Sequence, residues 1–147
     1  MPPAQIPCPK PLHELKLLVH HHMSSLYLDE VRTRFPQMQV VVLDNYADLP
    51  ATLAREQPDL VLSFRMGHLG PFPRETLLSW PSIRWLHATG AGIEHLPPWD
   101  PARIMVTNSA GIHGRIMAEY AAWAILNQTQ RMPTFARQQR ERVWKLY

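Results

Sequence analysis

Two periodicities alternate along the first 110 residues. Short apolar runs at Leu15–His20 (LKLLVH), Met38–Leu43 (MQVVVL), Asp59–Ser63 (DLVLS), Ile83–His87 (IRWLH) and Ile104–Thr107 (IMVT) have the length and aliphatic character of strands. Met38–Leu43 is continuously apolar, the pattern of a strand buried on both faces. Between the first two runs, Leu28, Val31 and Phe35 share one helical stripe, with Ser24 or Ser25 placed to cap it and Pro36 to stop it. Asp48 and Pro50 mark the start of a second short helix that ends before Pro58. A third short helix is expected near Arg74–Leu78, after a Pro- and Gly-rich loop. Strand–helix alternation of this kind predicts a flavodoxin-like, doubly wound parallel sheet of about five strands with both faces covered. Ligands of such sheets bind at the carboxyl ends of the strands. That rule directs attention to residues 20–22, 63–67, 88–95 and 107–113.

The stretch His113–Arg131 obeys a different rule. Ile116, Met117, Ala118, Tyr120, Ala121, Ala122, Trp123, Ala124, Ile125 and Leu126 are apolar almost all the way round a helix. A helix that is apolar on every side needs burial on every side, and one small sheet offers it a single face. Residues 1–112 therefore read as one α/β domain. Residues 113–147 read as a long crossing helix and the start of a link to a second body.

Composition narrows the class. The chain has 147 residues, 46% hydrophobic and 18% charged, which is a globular balance with enough apolar surface for one core. No apolar run reaches the ~18 residues of a membrane span, and residues 1–11 carry no signal-peptide core, so a cytoplasmic protein without a membrane partner is expected. The single Cys8 excludes an internal disulfide framework. Fifteen prolines, scattered along the chain, act as frequent element breaks. The net charge of +3 is uneven: residues 128–147 hold Arg131, Arg137, Arg140, Arg142 and Lys145 against Glu141. This basic end lacks low-complexity character and reads as a solvated or interdomain helix face, with no nucleic-acid partner expected.

Candidate chemistry is sparse. His20-His21-His22 suggests a metal cluster, but neighbours in a strand point to opposite faces, so only His20 and His22 are able to converge. No acidic residue or Cys lies nearby to complete a ligand set, and no metal is expected. The positions that bear acids and a lysine in a phospho-receiver domain hold His20–His22, Ser63 and Thr107–Ser109, which excludes that chemistry. No Ser stands in a G-x-S-x-G elbow. Gly90-Ala91-Gly92-Ile93-Glu94-His95 follows a strand, yet His95 replaces the third glycine of a dinucleotide fingerprint. What Gly90 and Gly92 do permit is close approach of an anion to backbone N–H groups, in a tight strand–helix turn expected to need positive φ.

The segment Arg84-Trp85-Leu86-His87-Ala88-Thr89-Gly90-Ala91-Gly92-Ile93-Glu94-His95-Leu96-Pro97 resembles the L-K-W-I-…-G-A-G-V-D-H-L-P stretch of D-isomer-specific 2-hydroxyacid dehydrogenases, especially the glyoxylate/hydroxypyruvate reductase branch. Val106-Thr107-Asn108-Ser109-Ala110-Gly111 and Met117-Ala118-Glu119-Tyr120-Ala121 are similar to that family's V-T-N-…-G-…-A-E-Y-A block. Arg131, Gln138 and Trp144 match the spacing of its R-…-Q-…-W, so the likeness runs in order over residues 60–147.

The resemblance implies the substrate domain of an NAD- or NADP-dependent two-domain enzyme, cut off before the cofactor domain and inactive by itself. It places no catalytic residue in this chain. It implies that backbone N–H groups of Gly90, Ala91 and Gly92 bind the carboxylate of a small 2-keto or 2-hydroxy acid. Arg65, in the loop after the third strand, faces the same cleft and has the fork to hold a carboxylate or to stabilise the loop. Met117 stands where the crossing helix of relatives contacts nicotinamide. No cofactor is expected on this piece alone. A homodimer is expected, with residues 113–131 at the contact. The alternative is a stand-alone, non-catalytic flavodoxin-like binding or regulatory module.

Overall fold

The computed structural model describes residues 10–96 and 98–145; Cys8 lies outside them. Five parallel strands form one sheet: β1 (Lys16–His20), β2 (Gln39–Leu43), β3 (Leu60–Ser63), β4 (Trp85–Ala88) and β5 (Met105–Asn108). Their order is β2-β1-β3-β4-β5, the flavodoxin-like arrangement, so the chain reverses its direction of travel across the sheet at β1. The connecting helices are α1 (Leu28–Arg34), α2 (Leu49–Glu56) and α3 (Arg74–Ser79). The chain divides into two compact units, Met1–Ala110 and Gly111–Tyr147.

Register assigns the two faces of the sheet. Leu18, Val61, Leu86 and Val106 lie in one row, and with Leu49 and Leu53 of α2 and Leu77 and Leu78 of α3 they make the core. The opposite face carries the rows Leu17, Leu60, Trp85, Met105 and Val19, Leu62, His87, Thr107. This second face is covered only in part. An apolar hollow of about 480 Å³ opens there, among Leu17, Leu60, Leu62, Trp85 and the α1 residues Val31 and neighbouring Phe35. Helices thus lie on both sides of the sheet, as expected, and beside α1 this face keeps an open hollow.

Other expectations shift locally. Ser24–Leu26 makes a single 3₁₀ turn, α1 starts only at Leu28, and no side chain caps it. Asp48 sits at the start of α2 without capping it; Asn45 instead accepts from the Asp48 N–H (2.9 Å) and donates to its carboxylate (3.2 Å). β2 is an edge strand rather than a doubly buried one, and Val42 is 39% exposed.

The second unit holds α4 (Gly114–Thr129) and α5 (Met132–Glu141). The apolar residues of α4 are in water: Ile116, Met117, Tyr120, Trp123, Ile125 and Leu126 are between 59% and 68% exposed. Among the described residues no helix is long and apolar enough to cross a membrane.

The row arrangement makes a stability contrast. Leu18 is fully buried in the core, so Leu18→Ala is expected to cost about 2–5 kcal/mol. Val42→Ala on the edge strand is expected to cost less than about 1 kcal/mol. Urea denaturation measures both, and equal losses would contradict the core assignment.

Candidate functional site

His20 ends β1 and is fully buried. Its Nε2 lies 3.0 Å from the Asn45 carbonyl, which only accepts, so Nε2 carries the proton. Nδ1 then accepts from the Ser63 hydroxyl at 3.0 Å. One neutral imidazole thus ties the carboxyl ends of β1 and β3 to the loop after β2. Burial holds its pKa below the ordinary histidine value, and the neighbouring His21 lowers it further. The three consecutive histidines part company where the strand stops. His21 Nδ1 meets the Tyr27 hydroxyl at 2.7 Å, and His22 packs edge-on to His68. No group of three metal-ligating side chains gathers among the described residues.

The same end of the sheet builds a cleft in steps. The Tyr46 ring packs 5.3 Å from that of His20, and its hydroxyl accepts from the Met66 N–H at 2.7 Å. Met66 is fully buried, which fixes the loop after β3 and leaves Arg65 at its surface. Across from it, the Thr89 N–H donates to the Ser63 carbonyl (3.0 Å). The Gly90 carbonyl accepts from the Ser109 N–H (3.1 Å), and the Ala91 carbonyl accepts from Asn108 Nδ2 (2.7 Å). With the carbonyls of Gly90 and Ala91 engaged by the end of β5, the N–H groups of Gly90, Ala91 and Gly92 have no acceptor among the described residues.

Ser63, Phe64, Arg65, Ala88, Gly90, Gly92, Glu94 and His95 line a cleft of about 230 Å³. The structure thus brings Arg65 together with Gly90 and Gly92, and Ala91 stands between the glycines at the surface. Met117 lies in the second unit, on α4, 67% exposed. Neither Arg65 nor Glu94 has a hydrogen-bond or ion-pair partner among the described residues, so the cleft holds a free cation and a free anion that do not bridge each other. His95 feels both: burial depresses its pKa first, Arg65 depresses it further, and Glu94 opposes them. In the sequence His95 stands out as a departure from a glycine fingerprint and Glu94-His95 as part of the segment that resembles the dehydrogenase motif, while their position in the cleft comes from the turn that follows Gly92.

Two expectations about the loop are corrected. Positive φ occurs at Gly70 and Gly111 but not at Gly90 or Gly92. At position 92 a Cβ would stand 2.5 Å from a Glu94 carboxylate oxygen, the end of an exposed side chain with room to swing aside. Among the described residues no helix follows the loop before β5 either: Glu94 and His95 make a turn, residues 98–100 have no regular structure, and residues 101–103 turn again. The N–H groups of the loop therefore stand without a helix dipole behind them. For the same reason the loop does not fit a dinucleotide: His95 occupies the third glycine position, and no helix N-terminus meets a pyrophosphate.

The chain matches no protein-family model and no curated protein. Among solved structures it is similar to a phosphoglycerate oxidoreductase from Vibrio cholerae O395, at 16% identity and a TM-score of 0.48. That similarity covers 90% of this chain and 42% of the other, so the chain spans less than half the length of that protein.

Protonation of His20 links the site to stability. Its pKa is lowered on folding, so below pH ~6.5 the unfolded chain binds more protons and stability falls as pH drops. The urea midpoint is expected to be level above pH ~7 and to decline below ~6.5. In His20→Gln the decline should be shallower, with His21, His87 and His95 supplying the remainder. An unchanged slope would show that His20 is not held neutral.

Proposed function

We propose that the first unit binds a small 2-keto or 2-hydroxy acid, as the substrate-binding domain of an NAD(P)-dependent D-2-hydroxyacid oxidoreductase. The observation that carries this reading is the cleft itself. Gly90 and Gly92 line a cleft that also holds the Arg65 guanidinium, and their N–H groups, with that of Ala91 between them, have no acceptor among the described residues. Carboxylates are recognised by this pairing of backbone donors and Arg. At about 230 Å³ the cleft lies below the ~300–1,000 Å³ of sites for drug-sized ligands, which suits an acid of a few carbon atoms. The G-A-G-I-E-H segment supports the same assignment through its resemblance to the dehydrogenase motif. Hydride transfer is assigned to a nicotinamide domain outside the described residues, with α4 as the crossing helix between the two. In ¹H–¹⁵N spectra, titration with glycolate should move the amides of Gly90, Ala91 and Gly92. Arg65→Ala should weaken the binding by about 10- to 150-fold, the equivalent of losing a charge-assisted contact of ~1.5–3 kcal/mol. Shifts confined to other residues would refute the reading.

We further propose that α4 is a contact between copies of this chain. Six large apolar side chains on one 16-residue helix, each more than half exposed, offer several hundred Å² of surface. Ile116, Tyr120 and Trp123 share one side of the helix, and an exposed apolar stripe of this kind marks an interaction surface. Light scattering over a concentration series should report a dimer or larger species, and Trp123→Glu should shift it toward monomer. A monomer at high micromolar concentration would contradict the assignment.

A further inference from the structure

The charge of Glu94 runs against the site it occupies. Arg65 and three free N–H groups make the cleft a receptor for an anion, yet the cleft already contains an anion of its own. The Glu94 carboxylate lies directly over Gly92, with Oε2 at 2.5 Å, Cδ at 3.2 Å and Oε1 at 3.3 Å from the position a Cβ would take. It forms no hydrogen bond to the loop and no ion pair with Arg65. It is also solvent-exposed, so its side chain has open space into which to turn.

We propose that Glu94 is a built-in competitor for the carboxylate site, a guard that the ligand's carboxylate must displace. Two carboxylates in one small cleft repel each other, and like charges at such range disfavour joint occupancy. The ligand therefore binds only to the fraction of molecules in which Glu94 has turned out, and its apparent affinity is reduced by that fraction. The guard selects by charge. A monoanion has to offset one repulsion as Glu94 leaves, whereas a dianion whose second carboxylate extends along the cleft meets Glu94 again. Small monocarboxylates are thus favoured over dicarboxylates of similar length. Gly92 belongs to the same device, since only a residue without a Cβ leaves room for the guard to sit there.

This inference rests on the carboxylate-binding reading of the Gly90–Gly92 loop, and one experiment separates the two. The full 147-residue chain and its Glu94→Gln and Glu94→Ala variants are titrated with glycolate and with tartronate, while the amides of Gly90, Ala91 and Gly92 are followed by NMR. Both substitutions are at an exposed position and are expected to leave the fold intact, which the rest of each spectrum verifies. The expected result is tighter glycolate binding in both variants, by a factor that is the inverse of the fraction of molecules in which Glu94 has turned out. A larger gain is expected for tartronate, so that the preference for the monoanion narrows. Shifts of the loop amides with the same affinities in all three proteins would overturn the guard and leave the carboxylate site standing. No shift of the loop amides in any of the three would overturn the site and the guard with it.

Discussion

The reversal of strand order at β1 is the constraint on which the site depends. β1 pairs with β2 on one side and β3 on the other, so the chain leaves the sheet in different directions on the two sides of β1. The carboxyl ends are then held in place by His20, whose two ring nitrogens bond Ser63 of β3 and the Asn45 carbonyl beyond β2. Each such hydrogen bond contributes only ~0.5–1.5 kcal/mol net, but a buried ring left unpaired would cost more than either bond adds. From His20 the order propagates outward. Its ring supports Tyr46, the Tyr46 hydroxyl takes the Met66 N–H, and the buried Met66 fixes the loop that presents Arg65.

The other wall of the cleft is organised from the opposite edge of the sheet. Asn108 and Ser109, at the end of β5, take up the carbonyls of Ala91 and Gly90. A backbone loop has equal numbers of donors and acceptors, and engaging acceptors alone leaves an excess of positive partial charge. The surplus of free donors in the loop thus arises from an imbalance in hydrogen bonding rather than from a cluster of basic side chains or a helix dipole. Arg65 and Glu94 are the charged side chains that line the cleft beside these donors.

The sheet was legible in the sequence because short aliphatic runs alternating with helical stripes admit few other arrangements. All five strands form within two residues of the apolar runs that announce them. Less legible was how well each element is covered. The run Gln39–Leu43 has the composition of a buried strand but lies at an edge, where order in the sheet, invisible to local pattern, decides exposure. The loop residues Arg65, Gly90, Ala91 and Gly92 stood out through their place after strands and through the motif they resemble. The closeness of Glu94 to Gly92 did not, because it depends on where a side chain two residues later comes to rest. His20 stands in the sequence as one of three consecutive histidines, and its role as a buried tie needs the pairing of β1 with β3, forty-three residues away.

The central claim is that the Gly90–Gly92 backbone, with Arg65, receives a carboxylate. A crystal structure of the chain grown with glycolate tests it most directly. The account predicts a carboxylate within ~2.7–3.2 Å of the Ala91 and Gly92 nitrogens, facing Arg65, with the Glu94 side chain turned away from Gly92. Glycolate bound elsewhere, with Glu94 still lying over Gly92, would contradict it.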